Sequence, residues 1–412
     1  MSQPHQSFAA LRHPGFRMLF IGNALAMLAD NMEHVVSYWV MFQKFHSPAL
    51  AGFAVIAHWV PFLCFAIPVG ALADRFDPRR LIQLGMSLFM GVSLIWGILF
   101  LTDALQIWHC WILLVLHGLA GVFWSAPAQL LLHDIVGAQD LQSAVRSNAT
   151  ARYVGTLLGP AVGSALMLWV MPAQAMWINT LIYLPLFVWL INAPYGPKFR
   201  TTPQAKPKAM RGLNDVLATL RVVMSSPVMG SMVLLTAVAS ALIGTAYQAQ
   251  MPGFAAMLGH ADPGVAYSVL LGADAAGSLT AGFLLESSGW LRASSKSALI
   301  LAALWAVSLG SFALCGYYPL AVALLFCAGF FELAYGAMSQ TLVQLSAPVE
   351  VRGQVIGVFV MAALGMRLWS GMSVGLLGDV IGVRASLSVS AGLLLLSVAW
   401  LARYARRSTE AA

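Results

Sequence analysis

Long apolar segments, separated by short polar stretches, run through the whole chain. A helix needs about 20 predominantly apolar residues to cross a bilayer, so the pattern predicts an all-α integral membrane protein with twelve transmembrane spans. The spans are expected near residues 16–41, 50–73, 81–101, 109–132, 149–170, 174–192, 227–250, 265–285, 297–315, 318–338, 354–377 and 384–402.

One long polar break interrupts this pattern at residues 193–226, which contain four prolines and six basic residues. It leaves six predicted spans on either side. We therefore expect an N-terminal unit of residues 1–193, a linker of residues 194–226 and a C-terminal unit of residues 227–412.

Composition supports the same class of protein. Soluble domains are about 25% charged, whereas this chain of 412 residues is 9% charged and 60% hydrophobic, with a mean hydropathy of +0.80. The four cysteines show no CxxC or metal-site spacing, so we interpret them as small packing residues and expect no metal site.

The basic residues predict the orientation of the chain. If the N-terminus is cytoplasmic, 18 Lys and Arg fall on the inner side and only Lys44 and Arg384 fall outside, in agreement with the positive-inside rule. Both termini are then cytoplasmic, and the net charge of +7 needs no nucleic-acid partner. The inner residues are Arg12, Arg17, Arg75, Arg79, Arg80, Arg146, Lys198, Arg200, Lys206, Lys208, Arg211, Arg221, Arg292, Lys296, Arg352, Arg403, Arg406 and Arg407.

The two halves of the chain repeat weakly. GALADRFDPRR at 70–80 aligns with GFLLESSGWLR at 282–292, an offset of 212 positions. The alignment pairs Gly70 with Gly282, Asp74 with Glu286, and Arg80 with Arg292. Parallel repeats of six spans are typical of transporters that bind substrate at the bilayer midplane between the halves.

Three motifs resemble the major facilitator superfamily. GALADRFDPRR resembles its signature G-x-x-x-D-R-x-G-R-R/K, although Asp77 replaces a Gly and we expect Asp77-Pro78 to shape the turn. GTLLGPAVG at 155–163 resembles the glycine–proline motif of exporters, and LAMLADNMEHVV at 25–36 resembles the acidic first-span motif. The matching residues of the first two motifs are Gly70, Asp74, Arg75, Arg79, Arg80, Gly155, Gly159, Pro160 and Gly163.

This resemblance implies a fold of two six-helix bundles and a place among drug and siderophore exporters, a branch that includes exporters of macrolides and of enterobactin. It implies that spans one, four, seven and ten line the cavity, that spans three, six, nine and twelve face lipid, and that span five lies between the halves. It also implies that Asp74 meets the start of span eleven near Arg352 and Gly353 and latches a cytoplasmic gate. Glu286, which the repeat aligns with Asp74, is expected to form a weaker version of the same contact. His117 stands where the family has Arg.

Ionisable residues inside the spans are functional candidates, because charge in a bilayer is costly. Asn23, Asp30, Glu33, His34 and Ser37 occupy one face of span one. Burial disfavours a charged carboxylate, so a buried acid here is able to carry a proton; a permanently paired structural acid is the alternative. The residues expected to couple protons are Asp30, Glu33, His34 and Glu332.

Aromatic, hydroxyl and amide groups on otherwise apolar helices suit an amphipathic organic molecule. Hydrogen bonds between helices are the alternative role for such groups. The residues expected in a substrate cavity are Asn23, His117, Trp124, Thr236, Ser240, Tyr247, Gln248, Asp274, Tyr335 and Arg367.

The buried arginines require anions. Arg367 has Glu332, Asp274 or an anionic substrate as candidate partners. Arg152 is expected to pair with Glu286, and His58 is expected to be a packing residue.

The function expected from these features is export of an amphipathic drug or siderophore by proton antiport, carried out by a monomer in a bacterial inner membrane. A proton-coupled importer of a nutrient or lipid-like solute is the alternative within transport, and a membrane enzyme or sensor is the alternative outside it. No GxxxxGK[ST] sequence and no clustered metal-ligand motif occurs, so neither ATP nor another cofactor is expected, and the proton gradient supplies the energy.

Overall fold

Helices make up almost all of the computed structural model, which describes residues 7–199, 212–258, 263–288, 291 and 293–410. The basic residues Arg200, Lys206, Lys208, Arg211 and Arg292 lie outside the described residues. The helices are α1 (Pro14–Phe45), α2 (Pro48–Arg75), α3 (Pro78–Leu101), α4 (Ile107–Val136), α5 (Leu141–Trp169), α6 (Pro172–Asn192), α7 (Leu213–Ser225), α8 (Pro227–Leu242), α9 (Ala246–Ala249), α10 (Met251–Met257), α11 (Pro263–Ser288), α12 (Ser295–Leu314), α13 (Tyr318–Ser346), α14 (Arg352–Val360), α15 (Arg367–Ser370), α16 (Leu377–Ile381) and α17 (Val383–Glu410).

Ten helical segments of the described chain are long and apolar enough to cross a membrane, so the prediction of a multi-pass membrane protein is confirmed. The remaining two predicted spans correspond to α1 and α5, which are long enough but more polar. These helices carry Asp30, Glu33, Arg146 and Arg152. The total of twelve spans stays a prediction.

The connection between α2 and α3 is built by its own sequence. Asp77 caps α3 by accepting a hydrogen bond from the Arg79 backbone N–H at 3.0 Å, and Pro78 occupies the first helical position. Arg79 Nε lies 3.0 Å from the same carboxylate, and its guanidinium lies 5.1 Å from the ring of Phe199. The expectation that Asp77-Pro78 shapes this turn agrees with these contacts.

Predicted span seven is not one helix. Helix α8 ends at Leu242, and Gly244 adopts a left-handed φ of 48° before the short helices α9 and α10. Glycine reaches this conformation without steric cost, and a Cβ at Gly244 would lie 2.6 Å from Ser370 Oγ. The span predicted over 227–250 agrees with the apolar segment Pro227–Gln248, but its helix is interrupted after Leu242.

Predicted span eleven is helical but irregular. Two π-helical turns, Met361–Gly365 and Gly371–Leu376, flank the short helix α15 that begins at Arg367. π turns occur mostly as single turns within α-helices and are frequent at functional sites.

Most packing occurs within each half of the chain. Helix α1 packs on α5 and α6, α3 packs on α4, and α13 packs on α11 and α12. Contacts between the halves are made chiefly by α2 with α14 and by α5 with α11 and α13. Helix α7 lies within the expected linker, and the domain boundaries stay a prediction.

The glycine face of α5 packs within its own half. A Cβ at Gly155 would lie 2.7 Å from the Ala24 carbonyl oxygen, and one at Gly163 would lie 3.0 Å from Met32 on the same helix, α1. Gly159 also meets α1, next to Pro160. These glycines therefore allow α1 and α5 to approach closely, whereas other parts of α5 contact the second half.

Candidate functional site

A cavity of about 480 Å³ lies between the two halves. Its wall combines apolar and aromatic side chains with polar groups from both halves, as expected of a site for an amphipathic molecule. The expected residues that line it are Asn23, Asp30, His34, Trp124, Thr236, Ser240, Gln248, Glu332, Tyr335 and Arg367.

Three residues expected in the cavity lie behind its wall. His117 is 3% exposed, Tyr247 is 0% exposed and Asp274 is 3% exposed, and none of them lines the cavity. Each hydrogen-bonds to a residue that does line it. They were assigned to the cavity because helical spacing shows which residues share a face but not which neighbouring helix covers that face.

His117 joins the two acids of α1. Its Nε2 lies 2.8 Å from Asp30 Oδ1 and its Nδ1 lies 2.8 Å from Glu33 Oε1. All three residues are buried, but only Asp30 lines the cavity. An imidazole between two carboxylates is able to hold and pass a proton between them. The His at the family's Arg position thus forms the centre of a titratable triad.

Glu33 has further partners on the outer helices. Ser93 on α3 donates a hydrogen bond to Glu33 Oε2, and Asn179 Nδ2 on α6 lies 3.3 Å from the same oxygen. Ser93 and Asn179 are both 0% exposed. A carboxylate held by three donors is well fixed, so the geometry favours Glu33 as the group that orients His117. Ser93 and Asn179 are uncharged and lie on apolar spans, so the sequence did not single them out as partners of Glu33.

His34 and His58 extend this cluster to the cavity. The His34 ring centroid lies 4.7 Å from that of His117 and 4.8 Å from that of His58, and both His34 and His58 line the cavity. Ring nitrogens of the three histidines lie within 4.8 Å of one another, which would suit a metal ion. Both nitrogens of His117 already contact carboxylates, however, so the geometry favours ring packing of the three histidines over a metal site.

A second acidic cluster lies in the C-terminal half. Tyr247 Oη lies 3.1 Å from Asp274 Oδ2 and 3.3 Å from Glu332 Oε2, so one phenol bridges the two carboxylates. Gln248 Nε2 lies 3.2 Å from Asp274. Three helices, α9, α11 and α13, supply this group, which explains why sequence spacing alone did not assemble it.

The arginines differ most from expectation. Arg152 lines the cavity and does not pair with Glu286. Arg146, earlier on α5, lies beside Glu286 and donates a 2.9 Å hydrogen bond to the Leu285 carbonyl. The two arginines are six positions apart, so a helix presents them at different heights and on different faces.

Asn23 belongs to a hydrogen-bonded group at the cavity wall. Its Nδ2 donates to Asn148 Oδ1 at 2.7 Å, and Trp124 Nε1 donates to its Oδ1 at 3.0 Å. Asn148 was not singled out from sequence, because a lone amide near the start of a span resembles many solvated ones.

The end of the molecule that contains residues 70–80 is closed. Asp74 Oδ1 accepts a hydrogen bond from Gly353 N at 2.6 Å, and Oδ2 accepts one from Gln354 N at 3.0 Å. The acid thus caps the start of α14 in the opposite half. Nearby, Arg352 Nη1 lies 3.2 Å from His133 Nδ1. This is the contact expected at the start of span eleven; its role as a latch stays a prediction.

The other arginines of this segment stay within the N-terminal half. Arg80 Nη1 donates to Gln83 Oε1 at 3.0 Å, and the Arg75 guanidinium lies 6.0 Å from the ring of Phe76.

Glu286 makes the corresponding contact on the opposite side. Ser143, near the start of α5, donates a hydrogen bond to Glu286 Oε1. A Cβ at Gly282 would collide with Thr150 of α5, as one at Gly70 would collide with the Gly353 carbonyl. The weak repeat at an offset of 212 positions therefore corresponds to two similar helix crossings between the halves.

The close crossing at Gly70 makes a testable prediction. We expect Gly70→Ala to lower the melting temperature of the purified protein and to loosen the closed end, because the added methyl meets backbone of α14. Gly91 on α3 has no atom within 4 Å of a built Cβ, so Gly91→Ala is the matched control. It gains the helix propensity of Ala, about 1 kcal/mol. Equal effects of the two substitutions on melting would contradict the proposed packing.

Comparison with known proteins agrees with this architecture. The chain is 25% identical over 382 residues to the enterobactin exporter EntS of Citrobacter koseri, covering 90% of this chain and 84% of that protein. It is 22% identical over 151 residues to the staphyloferrin A transporter of Staphylococcus aureus, covering 36% of each chain. The crystal structure of the human organic anion transporter MFSD10 superposes with a TM-score of 0.73 at 15% identity, covering 94% of this chain and 99% of that one.

The family assignment rests on nearly the whole sequence. A family model described as a transmembrane secretion effector matches residues 5–412. The chain therefore belongs to the transmembrane secretion effector family of the major facilitator superfamily, and it is a membrane transporter rather than an enzyme.

Proposed function

We propose that this protein exports an amphipathic small molecule by proton antiport and alternating access. The observation that supports this most strongly is the Asp30–His117–Glu33 triad, in which only Asp30 reaches the cavity. A transporter that couples to protons needs a buried acid that solvent reaches from a central cavity. Asp30 meets that need, and His117 supplies a neighbour that accepts or returns the proton.

In this proposal Asp30 carries the proton and Glu33 positions His117. With Asp30 charged, His117 holds it from one side while Glu33 holds the other ring nitrogen. With Asp30 protonated, the attraction between Asp30 and His117 weakens, and α1 and α4 are less firmly tied at this point. Protonation then biases the equilibrium between the two access states.

The second acidic cluster supports a role in coupling for Glu332. It lines the cavity from α13 and shares Tyr247 with Asp274. Two carboxylates around one phenol repel each other unless one is protonated. Each half of the transporter thus contributes one carboxylate site beside the cavity.

The proposed location is a bacterial inner membrane with both termini in the cytoplasm, based on the distribution of Lys and Arg. The end closed by Asp74 and α14 is then the cytoplasmic one. The proposed cargo is a siderophore or drug-like molecule, because the two bacterial relatives transport enterobactin and staphyloferrin A according to their names. We propose that it acts as a monomer without a cofactor.

Inverted membrane vesicles test direction and coupling together. We expect vesicles that contain the protein to accumulate at least one member of a panel of dyes, antibiotics and siderophores when the lumen is made acidic, and to stop when an ionophore removes the gradient. Loss of preloaded substrate under the same gradient would indicate a proton-coupled importer. Accumulation of substrate that does not depend on the pH gradient would contradict antiport.

A further inference from the structure

Two arginines face the central cavity without a carboxylate partner. Arg152 on α5 and Arg367 on α15 both line it. Within the described part of the chain, no carboxylate oxygen lies within 4.0 Å of either guanidinium. The two charges lie near enough to repel each other, and Asp30 and Glu332 attract Arg152 and Arg367 only from beyond that distance. An unpaired charge in a membrane-embedded cavity is costly, and two like charges are more so.

Arg367 is oriented by an aromatic ring rather than by an acid. Its guanidinium carbon lies 5.3 Å from the centroid of the Trp59 ring, at cation–π distance. Stacking covers one face of the planar group and leaves its N–H edges for a ligand. Among the described residues the Nε atom has no hydrogen-bond partner although it is buried, and a buried donor without an acceptor is destabilising.

The backbone around Arg367 is unusual as well. The residue begins a four-residue α-helix between two π-helical turns. A π turn rotates the following residues relative to a regular α-helix, so the turn at Met361–Gly365 changes the direction in which Arg367 points. Such local departures are frequent at functional sites.

The acids near the cavity already have other partners. Asp30 is held by His117, and Asp274 and Glu332 share Tyr247. Each acid is thus satisfied by a donor other than an arginine. Among the described residues neither guanidinium is bound to a carboxylate, so both keep N–H donors for a molecule that enters the cavity.

We propose that Arg152 and Arg367 together bind the anionic group of the transported molecule, which is an amphipathic organic anion with a planar, oxygen-bearing group such as a carboxylate or catecholate. Arginine binds such groups through two parallel hydrogen bonds. Trp59, Tyr153 and Tyr335 line the same cavity and pack against the apolar body of the molecule. This inference rests on the proposed function, in that the cavity is taken to carry the substrate.

A matched pair of aromatic ligands tests the inference. We would titrate the purified full-length protein with 2-naphthoate and with the neutral 2-naphthamide by calorimetry at fixed ionic strength. We expect the acid to bind more tightly than the amide. We expect Arg152→Gln and Arg367→Gln each to weaken acid binding by about tenfold or more, the usual scale for a charged hydrogen bond, and to leave amide binding unchanged.

Arg221→Gln is the control, because Arg221 lies exposed on α7 and its replacement removes the same charge far from the cavity. Amide binding by each variant verifies its fold. If a Gln variant does not fold, the Lys variant replaces it and is expected to lose part of the acid preference, because Lys cannot form the planar double contact. Equal binding of acid and amide by the wild type, including no binding of either, would overturn the inference. So would an equal loss in Arg221→Gln.

The outcome of this titration can be distinguished from the outcome of the transport assay that tests proton antiport. Gradient-driven export of any substrate without a preference for anions would leave proton antiport standing and remove the anion site. Preference for the acid without gradient-driven transport would do the reverse.

Discussion

Asp30→Asn is expected to abolish proton-driven export while the protein remains folded in the membrane. The amide has the size of the carboxylate, and its oxygen is able to face His117 as Asp30 Oδ1 does at 2.8 Å. It cannot gain or lose a proton at neutral pH, so the transporter loses the group that links proton entry to the change of access. Transport is measured in inverted vesicles with an acidic lumen, and membrane insertion is measured by quantifying the purified protein.

Two further variants serve as comparisons for Asp30→Asn. Asp103→Asn changes an acid whose side chain is 91% exposed and pairs with Lys44, and we expect export at the wild-type rate. Glu33→Gln alters a carboxylate held by His117, Ser93 and Asn179 that does not line the cavity, and we expect slowed but still gradient-dependent export. Wild-type export by Asp30→Asn would remove Asp30 from the mechanism.

Asp74→Ala is expected to open the end of the transporter that contains residues 70–80. The acid accepts two backbone hydrogen bonds from α14 across the boundary between the halves. Loss of a helix cap costs about 0.5–2 kcal/mol, which shifts an equilibrium between closed and open states by roughly 2- to 30-fold. Because Asp74 does not line the cavity, substrate affinity is expected to change little while the cycle slows.

The opening is measurable as accessibility of a single cysteine. Gln344 is 1% exposed and donates a 3.1 Å hydrogen bond to Gln129 in the other half, so Gln344→Cys in a cysteine-free background reports opening by its labelling rate. Asp77→Ala is the control, because Asp77 caps α3 within its own half. An unchanged labelling rate in Asp74→Ala, or the same increase in Asp77→Ala, would contradict the latch.

Several features of this site were predictable because they depend on the chain's local pattern. Span positions follow from apolar length. The polar face of α1 follows from helical spacing, and Asp30 and His34 of that face do reach the cavity. The repeat at an offset of 212 positions predicted that Asp74 and Glu286 are equivalent, and both lie at helix crossings between the halves.

The remaining features depend on how helices rotate against one another. Sequence placed His117 in the cavity wall, yet the packing of α4 on α1 directs it to Asp30 and Glu33 behind that wall. Arg152 was assigned to Glu286 because both were expected near the same membrane face, but Arg146 lies there instead. Such outcomes follow from tertiary packing, which a single sequence does not specify.

The breaks in the helices were equally difficult to predict from the sequence. Gly244 looked like one of many glycines on apolar spans, but its left-handed φ of 48° and the close approach of Ser370 both favour glycine there. The π turns around Arg367 have no sequence signature. In both cases the irregular backbone lies next to the cavity, where local rules are most often broken for function.

Proton movement in proteoliposomes of the purified protein tests the central claim most directly. A substrate gradient is imposed across the bilayer without a pH gradient, and a trapped dye reports the internal pH. The account predicts that wild-type protein moves protons against the direction of substrate flow and that Asp30→Asn does not. Proton movement in the same direction as the substrate, no movement in the wild type, or unchanged movement in Asp30→Asn would contradict it.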